Sequence, residues 1–69
     1  MTNCLIWLNG EQCECGADLL LPDLLILKGY QPRLVVVELN AELLPRGQWA
    51  QQKIKAGDRL EVVTIVGGG

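Results

Sequence analysis

The chain has 69 residues, of which 49% are hydrophobic and 20% are charged, and its formal net charge is -2. A chain of this length forms one domain at most and buries only about 60% of the surface that it exposes when unfolded. The composition is that of a globular protein rather than a disordered one, and the mildly negative charge argues against nucleic acid or anionic lipid as a partner.

The distribution of apolar residues indicates no membrane span. The longest apolar stretch, residues 19–27, is interrupted by Pro22 and Asp23, and a span needs roughly 20 predominantly apolar residues. No basic leader precedes an apolar segment, so a secretory signal is not indicated either. We therefore expect a cytoplasmic protein.

The first predicted element is a hairpin closed by Asn9-Gly10, a dipeptide that strongly favours a two-residue turn. Alternation then assigns the side chains of the two strands to opposite faces of the sheet. The inner face carries Cys4, Ile6, Leu8, Cys13 and Cys15, and the wetter outer face carries Leu5, Trp7, Gln12 and Glu14. Cys4 faces Cys15 within disulfide range, but a reducing cytosol and an odd number of cysteines favour free, packed thiols.

A short helix is predicted within residues 19–28. Pro22 and Asp23 suit its first turn, and Gly29 suits the position just past its last turn. The leucines and Ile26 point to all sides of the helix, which is more apolar than a surface helix requires. We expect a helix that is largely covered by the sheet and the neighbouring loops; the alternative is that Ile26 is exposed.

The second half of the chain is predicted to add strands and short connecting elements. β-branched residues favour a strand before the Asn40-Ala41 turn, and Pro45 ends the brief strand that follows that turn. The elements in order are a strand at 33–39, a brief strand at 42–44, one or two helical turns carrying Trp49 at 46–52, a turn at 56–58 and a last strand at 59–66.

One helix is too few to cover both faces of a sheet, so this order predicts an α+β roll with a mixed sheet of four to five strands packed on one helix. The folded domain would span residues 1–66, followed by a flexible glycine tail at 67–69. Because Glu38 and Glu61 should avoid the core, their strands would present apolar side chains on the open face, where a patch of this size favours partner binding. The expected partner-binding residues are Leu5, Trp7, Leu34, Val36, Val63 and Ile65.

The residues predict no catalytic constellation and no metal site. The chain has no histidine, it has no Gly-rich phosphate loop, and its eight carboxylates are spread over predicted turns and open faces. The remaining candidate for a functional group is the carboxylate at Gly69. It follows Gly67 and Gly68, which lack side chains and could pass through a narrow channel into the active site of a partner enzyme, where linkage to a nucleotide phosphate would activate the carboxylate.

Several segments, in their order and spacing, resemble the ThiS family of ubiquitin-like sulfur carriers along nearly the whole chain. They are the strand closed by Asn9-Gly10, the Leu-rich helix ending at Gly29, the PRLVVVE strand at 32–38, Pro45-Arg46 followed by Trp49, and GDRLE at 57–61 leading into TIVGGG at 64–69. Asn40-Ala41 departs from the Asn-Gly expected there, and the three cysteines are not functional positions in the family.

The resemblance implies a β-grasp fold and a role as a sulfur carrier in thiamine biosynthesis rather than as an enzyme. The family's functional signature falls on Gly68 and Gly69. A ThiF-type adenylating enzyme would use ATP and magnesium to activate the Gly69 carboxylate, and a cysteine-derived sulfur donor system would convert it to a thiocarboxylate. The thiazole synthase ThiG would accept the sulfur, and no cofactor would be bound by the chain itself.

Two other functions fit the same features. The small sulfur-carrying subunit of molybdopterin synthase uses the same terminal Gly-Gly thiocarboxylate. A ubiquitin-like protein modifier or a passive binding module would use the same fold without carrying sulfur.

Overall fold

Asn9 and Gly10 close a hairpin between β1 (Asn3–Leu8) and β2 (Glu11–Gly16) in the computed structural model, which describes residues 3–65. Both turn residues have positive φ angles, 52° and 82°, as a two-residue turn of this type requires. The antiparallel register pairs Leu8 with Glu11 and Cys4 with Cys15. The predicted hairpin and its register are confirmed.

Three further strands complete a five-stranded sheet in the order β2-β1-β5-β3-β4. They are β3 (Val35–Leu39), β4 (Glu42–Leu43) and β5 (Arg59–Thr64). β5 runs parallel to β1, whereas the other neighbouring strands are antiparallel. The mixed sheet with one α-helix confirms the predicted α+β β-grasp architecture.

Residues 3–65 contain one α-helix, α1 (Leu21–Leu27), which has Pro22 and Asp23 in its first turn and is followed by Gly29 at a φ of 89°. Only one side of it is buried, through Leu21, Leu24 and Leu25; Ile26 and Leu27 are 63% and 67% exposed. The expectation of a largely covered helix is therefore wrong. A helix of seven residues that lies on one face of a sheet has no second layer to cover its outer side.

The core lies between the inner face of the sheet and α1. Every fully buried side chain in the described part of the chain is apolar, and Trp49 and Ile54 join the core from the segment that connects β4 to β5. Trp49 is carried by a 3-10 helix, Arg46–Gln51, which confirms the helical turns predicted there. The indole N–H of Trp49 donates to the Leu44 carbonyl at 3.0 Å, which satisfies the one polar group that this ring buries.

Two strand boundaries differ from the prediction by two residues each. The strand expected from Arg33 begins at Val35, because Pro32–Leu34 forms a 3-10 turn closed by a hydrogen bond from the Leu34 N–H to the Gln31 carbonyl. Proline fixes a φ near that of a helical turn and suits its first position. β5 ends at Thr64 rather than at residue 66, and Val66 lies outside the described residues.

The turn after β3 forms as predicted, although alanine stands where glycine would be easier to accommodate. Asn40 and Ala41 have φ angles of 52° and 72°, and positive φ is uncommon for residues with a Cβ. The Asn40 amide oxygen accepts a hydrogen bond from the Arg59 N–H at 3.0 Å, and its Nδ2 donates to Asp58. These contacts help to hold the turn against the start of β5.

Candidate functional site

Four exposed apolar side chains gather where β5 ends and β3 begins, on the sheet face that α1 does not cover. Val36 and Val63 are directly paired across the two strands, so their side chains share a face. Just beyond them, the Ile65 N–H donates to the Leu34 carbonyl at 2.6 Å. Leu34, Val36, Val63 and Ile65 are 42%, 38%, 57% and 44% exposed. We call these four residues the apolar cluster.

Leu5 and Trp7 lie on the same face but near the other end of β5. Trp7 pairs with Arg59 in the parallel register of β1 and β5, and Val63 is four residues further along β5, about 13 Å at the usual rise per residue. Leu5 is 48% exposed, whereas Trp7 is half-buried. The six side chains predicted for the open face therefore form two groups rather than one continuous patch.

An acidic pair separates these two groups. Glu38 and Glu61 are direct partners across β3 and β5, and both are exposed. Leu43 pairs with Glu38 from β4 and is 67% exposed. Leu43 is thus an apolar residue of the open face that sequence reasoning missed, because a strand of two residues has no alternation to read.

The guanidinium of Arg59 covers Trp7 on this face. Its central carbon lies 5.3 Å from the centroid of the indole ring, a cation-π arrangement. The contact follows from the pairing of the two residues across β1 and β5. It partly shields Trp7 from solvent, which leaves the apolar cluster as the larger accessible surface.

The side chain of Asn9 extends the pairing of β5 past the end of β1. Its Oδ1 accepts from the Val62 N–H at 2.7 Å, and its Nδ2 donates to the Val62 carbonyl at 3.3 Å and to the Tyr30 hydroxyl at 3.0 Å. The amide thus replaces the backbone partner that β1 no longer supplies. Asn9 therefore holds the part of β5 that carries Val63. The sequence predicts only its role in the hairpin turn.

Arg46 holds the other side of the apolar cluster. Its guanidinium donates to the carbonyls of Pro32, Arg33 and Val35 at 2.9, 3.2 and 2.7 Å, and it stacks 4.7 Å from the centroid of the Trp49 ring. The planar fork of arginine suits several acceptors at once. These bonds fasten the segment that contains Leu34, and the sequence signals Arg46 only through its place after Pro45 in the family resemblance.

Gly68 and Gly69, which are predicted to carry the function, and Gly67, which is predicted to belong to a flexible tail, lie outside the described residues. Ile65, in the apolar cluster, is the last residue that the structure describes, and Gly67 follows it by two positions in the sequence. Chain connectivity alone limits Gly69 to within about 14 Å of Ile65, because that is the most that four residues can span.

Other chemistry is limited in the described part of the chain. Among residues 3–65, cysteine and carboxylate side chains do not gather in threes in a way that could hold a metal ion. The helices of this same region lack the length and apolar character that crossing a membrane requires.

Burial raises the pKa of the Cys15 thiol to about 11, with a further contribution from its hydrogen bond to Cys4.

Comparison with known proteins gives consistent matches. The model of the ThiS family matches residues 6–69. The chain is 27% identical over 64 residues to the sulfur carrier protein ThiS of Escherichia coli, and the match covers 93% of this chain and 97% of that protein. A crystal structure of the thiamine biosynthesis protein ThiS from Geobacter metallireducens superposes with a TM-score of 0.77 at 37% identity, covering 94% of this chain and 99% of the other.

A further relative is much longer. The chain is 39% identical over 62 residues to a thiazole synthase of Paramagnetospirillum magneticum, a match that covers 90% of this chain but only 19% of that protein. The chain therefore spans about a fifth of the length of this relative.

Proposed function

Because the chain belongs to the ThiS family of sulfur carrier proteins, we propose that its Gly69 carboxylate carries sulfur for the thiazole ring of thiamine. The observation that carries this proposal is the extent of the family match, which runs to residue 69 and so includes Gly68 and Gly69. The match to a thiazole synthase supports the choice of thiazole as the destination of the sulfur.

In this proposal the carboxylate is activated and then exchanged. An adenylating enzyme of the ThiF type joins the Gly69 carboxylate to the AMP part of ATP with the help of magnesium, and pyrophosphate leaves. Sulfur at the sulfide level, delivered by a cysteine-derived donor system, attacks the acyl carbon, and AMP leaves. The product is a thiocarboxylate, in which one carboxylate oxygen has been replaced by sulfur.

The thiazole synthase ThiG then takes the sulfur from the thiocarboxylate. The chain acts throughout as a protein substrate of its partners rather than as an enzyme, and ATP and magnesium are held by the activating enzyme. In this proposal the activation and sulfur-transfer reactions take place in the cytoplasm, where ATP and the donor system are present.

The apolar cluster is the surface through which the partner enzymes bind the carrier. Its four side chains are exposed although they are apolar, and it includes Ile65, which only Val66 separates from the glycines. Burying such side chains in an interface is favourable by roughly 25 cal/mol for each Å² removed from water. A partner that covers the cluster would have Gly69 within reach of its active site.

Leu5 and Trp7 provide a second, smaller contact on the far side of Glu38 and Glu61. Arg59 already covers Trp7, so less of this ring is left for a partner to contact. We therefore assign these two residues to the edge of the interface and the apolar cluster to its centre, where fully desolvated residues contribute most to binding.

The proposal is tested by intact-mass measurement after incubation with ATP, magnesium, a ThiF-type enzyme and a sulfur source. The mass should rise by the difference between one sulfur and one oxygen atom, and thiazole synthase should reverse that rise when its substrates are supplied. A chain that lacks Gly68 and Gly69 is the matched control and should stay unloaded. An intact chain that never gains sulfur, or that becomes attached to lysines of other proteins, would contradict the carrier function.

A further inference from the structure

Two free thiols face each other on the inner side of the β1–β2 hairpin. Cys4 and Cys15 are directly opposed in the antiparallel register, and their sulfur atoms are 3.7 Å apart. The third cysteine, Cys13, shares this face but is opposed to Ile6. The pair plays no part in the proposed sulfur-carrier function.

The backbone is already placed for a bond between these two sulfur atoms. Directly opposed residues of antiparallel strands have Cα atoms about 4.5 to 5.5 Å apart, and disulfides span Cα distances of about 4.4 to 6.8 Å. Side-chain rotation alone would close the remaining gap between the sulfurs. Cys13 is less well placed, because diagonal positions such as Cys4 and Cys13 are about 7 to 8 Å apart.

The two thiols differ in exposure, which sets the order in which they react. Cys4 is half-buried, whereas Cys15 is only 4% exposed. A dissolved oxidant therefore meets Cys4 first. Cys15 is the thiol that can reach the Cys4 sulfur from inside the protein once Cys4 has reacted.

We propose that Cys4 and Cys15 form a reversible dithiol–disulfide site that exchanges with low-molecular-weight disulfides such as oxidised glutathione. The Cys4 thiolate attacks one sulfur of the oxidant, which forms a mixed disulfide and releases one glutathione thiolate. The Cys15 thiol gives up its proton and attacks the Cys4 sulfur, which releases the second glutathione. Two protein thiols are oxidised to one disulfide, one glutathione disulfide is reduced to two thiols, and the two protons go to the released thiolates.

The position of the pair suggests what the bond would do. β2 is an edge strand that pairs only with β1 among the described strands, so the disulfide would lock the edge of the sheet to its interior. The pair lies on the face that packs on α1, whereas the apolar cluster lies on the opposite face and on other strands. Oxidation should therefore change hairpin stability and leave sulfur loading intact.

The test uses the full chain, first reduced and then incubated over a series of oxidised-to-reduced glutathione ratios. Samples are quenched with acid, alkylated, and examined by intact mass and peptide mapping. We expect the mass of two hydrogen atoms to be lost, Cys13 alone to be alkylated, and excess reduced glutathione to reverse the change. The Cys13→Ser variant should behave in the same way, whereas Cys4→Ser should form no internal disulfide.

Two results would overturn the proposal without reference to these variants. One is a wild-type protein that stays fully reduced, or stops at a mixed disulfide, at the most oxidising ratio. The other is a peptide map in which Cys13 occupies most of the internal disulfide, or in which the bonds join separate chains. Because sulfur loading is measured separately, failure of the thiol pair and failure of the carrier function are distinguishable.

Discussion

Glu38 and Glu61 occupy directly opposed positions on β3 and β5, in the middle of the open face of the sheet. Like charges at directly opposed positions destabilise a sheet. The nearest basic residue along β5, Arg59, is placed over Trp7. The pair therefore interrupts the apolar surface, and it also disfavours contact between two copies of the same face because that contact would bring carboxylates together.

Removal of one charge of this pair should stabilise the protein. We expect Glu38→Gln to raise the free energy of unfolding by about 0.2 to 1 kcal/mol, measured by urea denaturation at low ionic strength. The gain should shrink in high salt, because exposed charges are screened. Glu14→Gln is the control, since Glu14 faces Leu5 across the hairpin, and a gain as large in this control would show that the opposed pair is not the cause.

A charge within the apolar cluster should weaken partner binding more than folding. Burying one large aliphatic side chain contributes about 1.5 to 3 kcal/mol, so Ile65→Lys should weaken binding to the adenylating enzyme by roughly 10- to 100-fold. Titration calorimetry gives the affinity, and thermal unfolding gives the stability.

The matched control for that variant is Ile26→Lys on α1, which replaces an isoleucine that is 63% exposed on the helix. It should bind the enzyme as the unaltered protein does. If both variants lose binding equally, the interface is on the helix side or covers both faces. If Ile65→Lys unfolds the protein instead, residue 65 is part of the core.

The amide of Asn9 should contribute measurably to stability through its bonds to Val62. Asn9→Asp keeps an acceptor for the Val62 N–H but loses the Nδ2 donor that reaches the Val62 carbonyl and Tyr30. Asn9→Ala loses both. We expect the alanine variant to be less stable by about 1 to 3 kcal/mol and the aspartate variant to lie between, with hydrogen exchange at Val62 accelerated in the same order.

An aspartate variant as stable as the unaltered protein, with only the alanine variant destabilised, would assign the effect to the turn rather than to the bonds with Val62 and Tyr30. Aspartate tolerates the positive φ of a turn, whereas alanine adopts it less readily, so the comparison separates these two causes.

Stability should fall in alkaline solution because of Cys15. Burial, followed by the hydrogen bond to Cys4 and the charges of Cys4 and Cys13, raises the pKa of Cys15 from 9.0 to about 11, and Lys28 opposes this. Below pH 9 the thiol is protonated in both states, so its contribution is fully present. Between pH 9 and 11 the unfolded state releases the proton more readily, and the contribution, up to about 2 to 3 kcal/mol, is lost.

Denaturation curves from pH 7 to 11 measure this loss. Cys15→Ala is the control, since it retains every other group that titrates in that range. The difference in stability between the two proteins should be smaller at pH 11 than at pH 8. A difference that is constant over this range would show that Cys15 does not titrate with a raised pKa.

Much of the local structure is readable from short stretches of the sequence. Asn9-Gly10 closes the hairpin and also determines its register, because a two-residue turn leaves one way to pair the flanking strands. Pro22 and Gly29 bracket α1, and Pro45 stops β4. Each signal works because it acts through the backbone conformation of one or two residues.

The exposed side of α1 was not readable in the same way. Ile26 and Leu27 are as apolar as the buried Leu24 and Leu25. They are exposed only because the sheet covers one side of the helix and no second layer covers the other. The predicted start of β3 was wrong for a related reason. Arg33 and Leu34 suit a strand, but they lie in a 3-10 turn, and Arg46 donates to the Arg33 carbonyl from another element.

The sequence by itself determined the fold class, the hairpin register, the inner and outer faces of the strands, and the family, because these depend on turn chemistry, alternation and the order of segments. Only the tertiary structure decided that the open-face residues form two groups with Glu38 and Glu61 between them, and that Asn9 holds Val62. Both facts depend on how β5 aligns with β1 and β3. That alignment is set by packing between segments far apart in the chain, which no local pattern encodes.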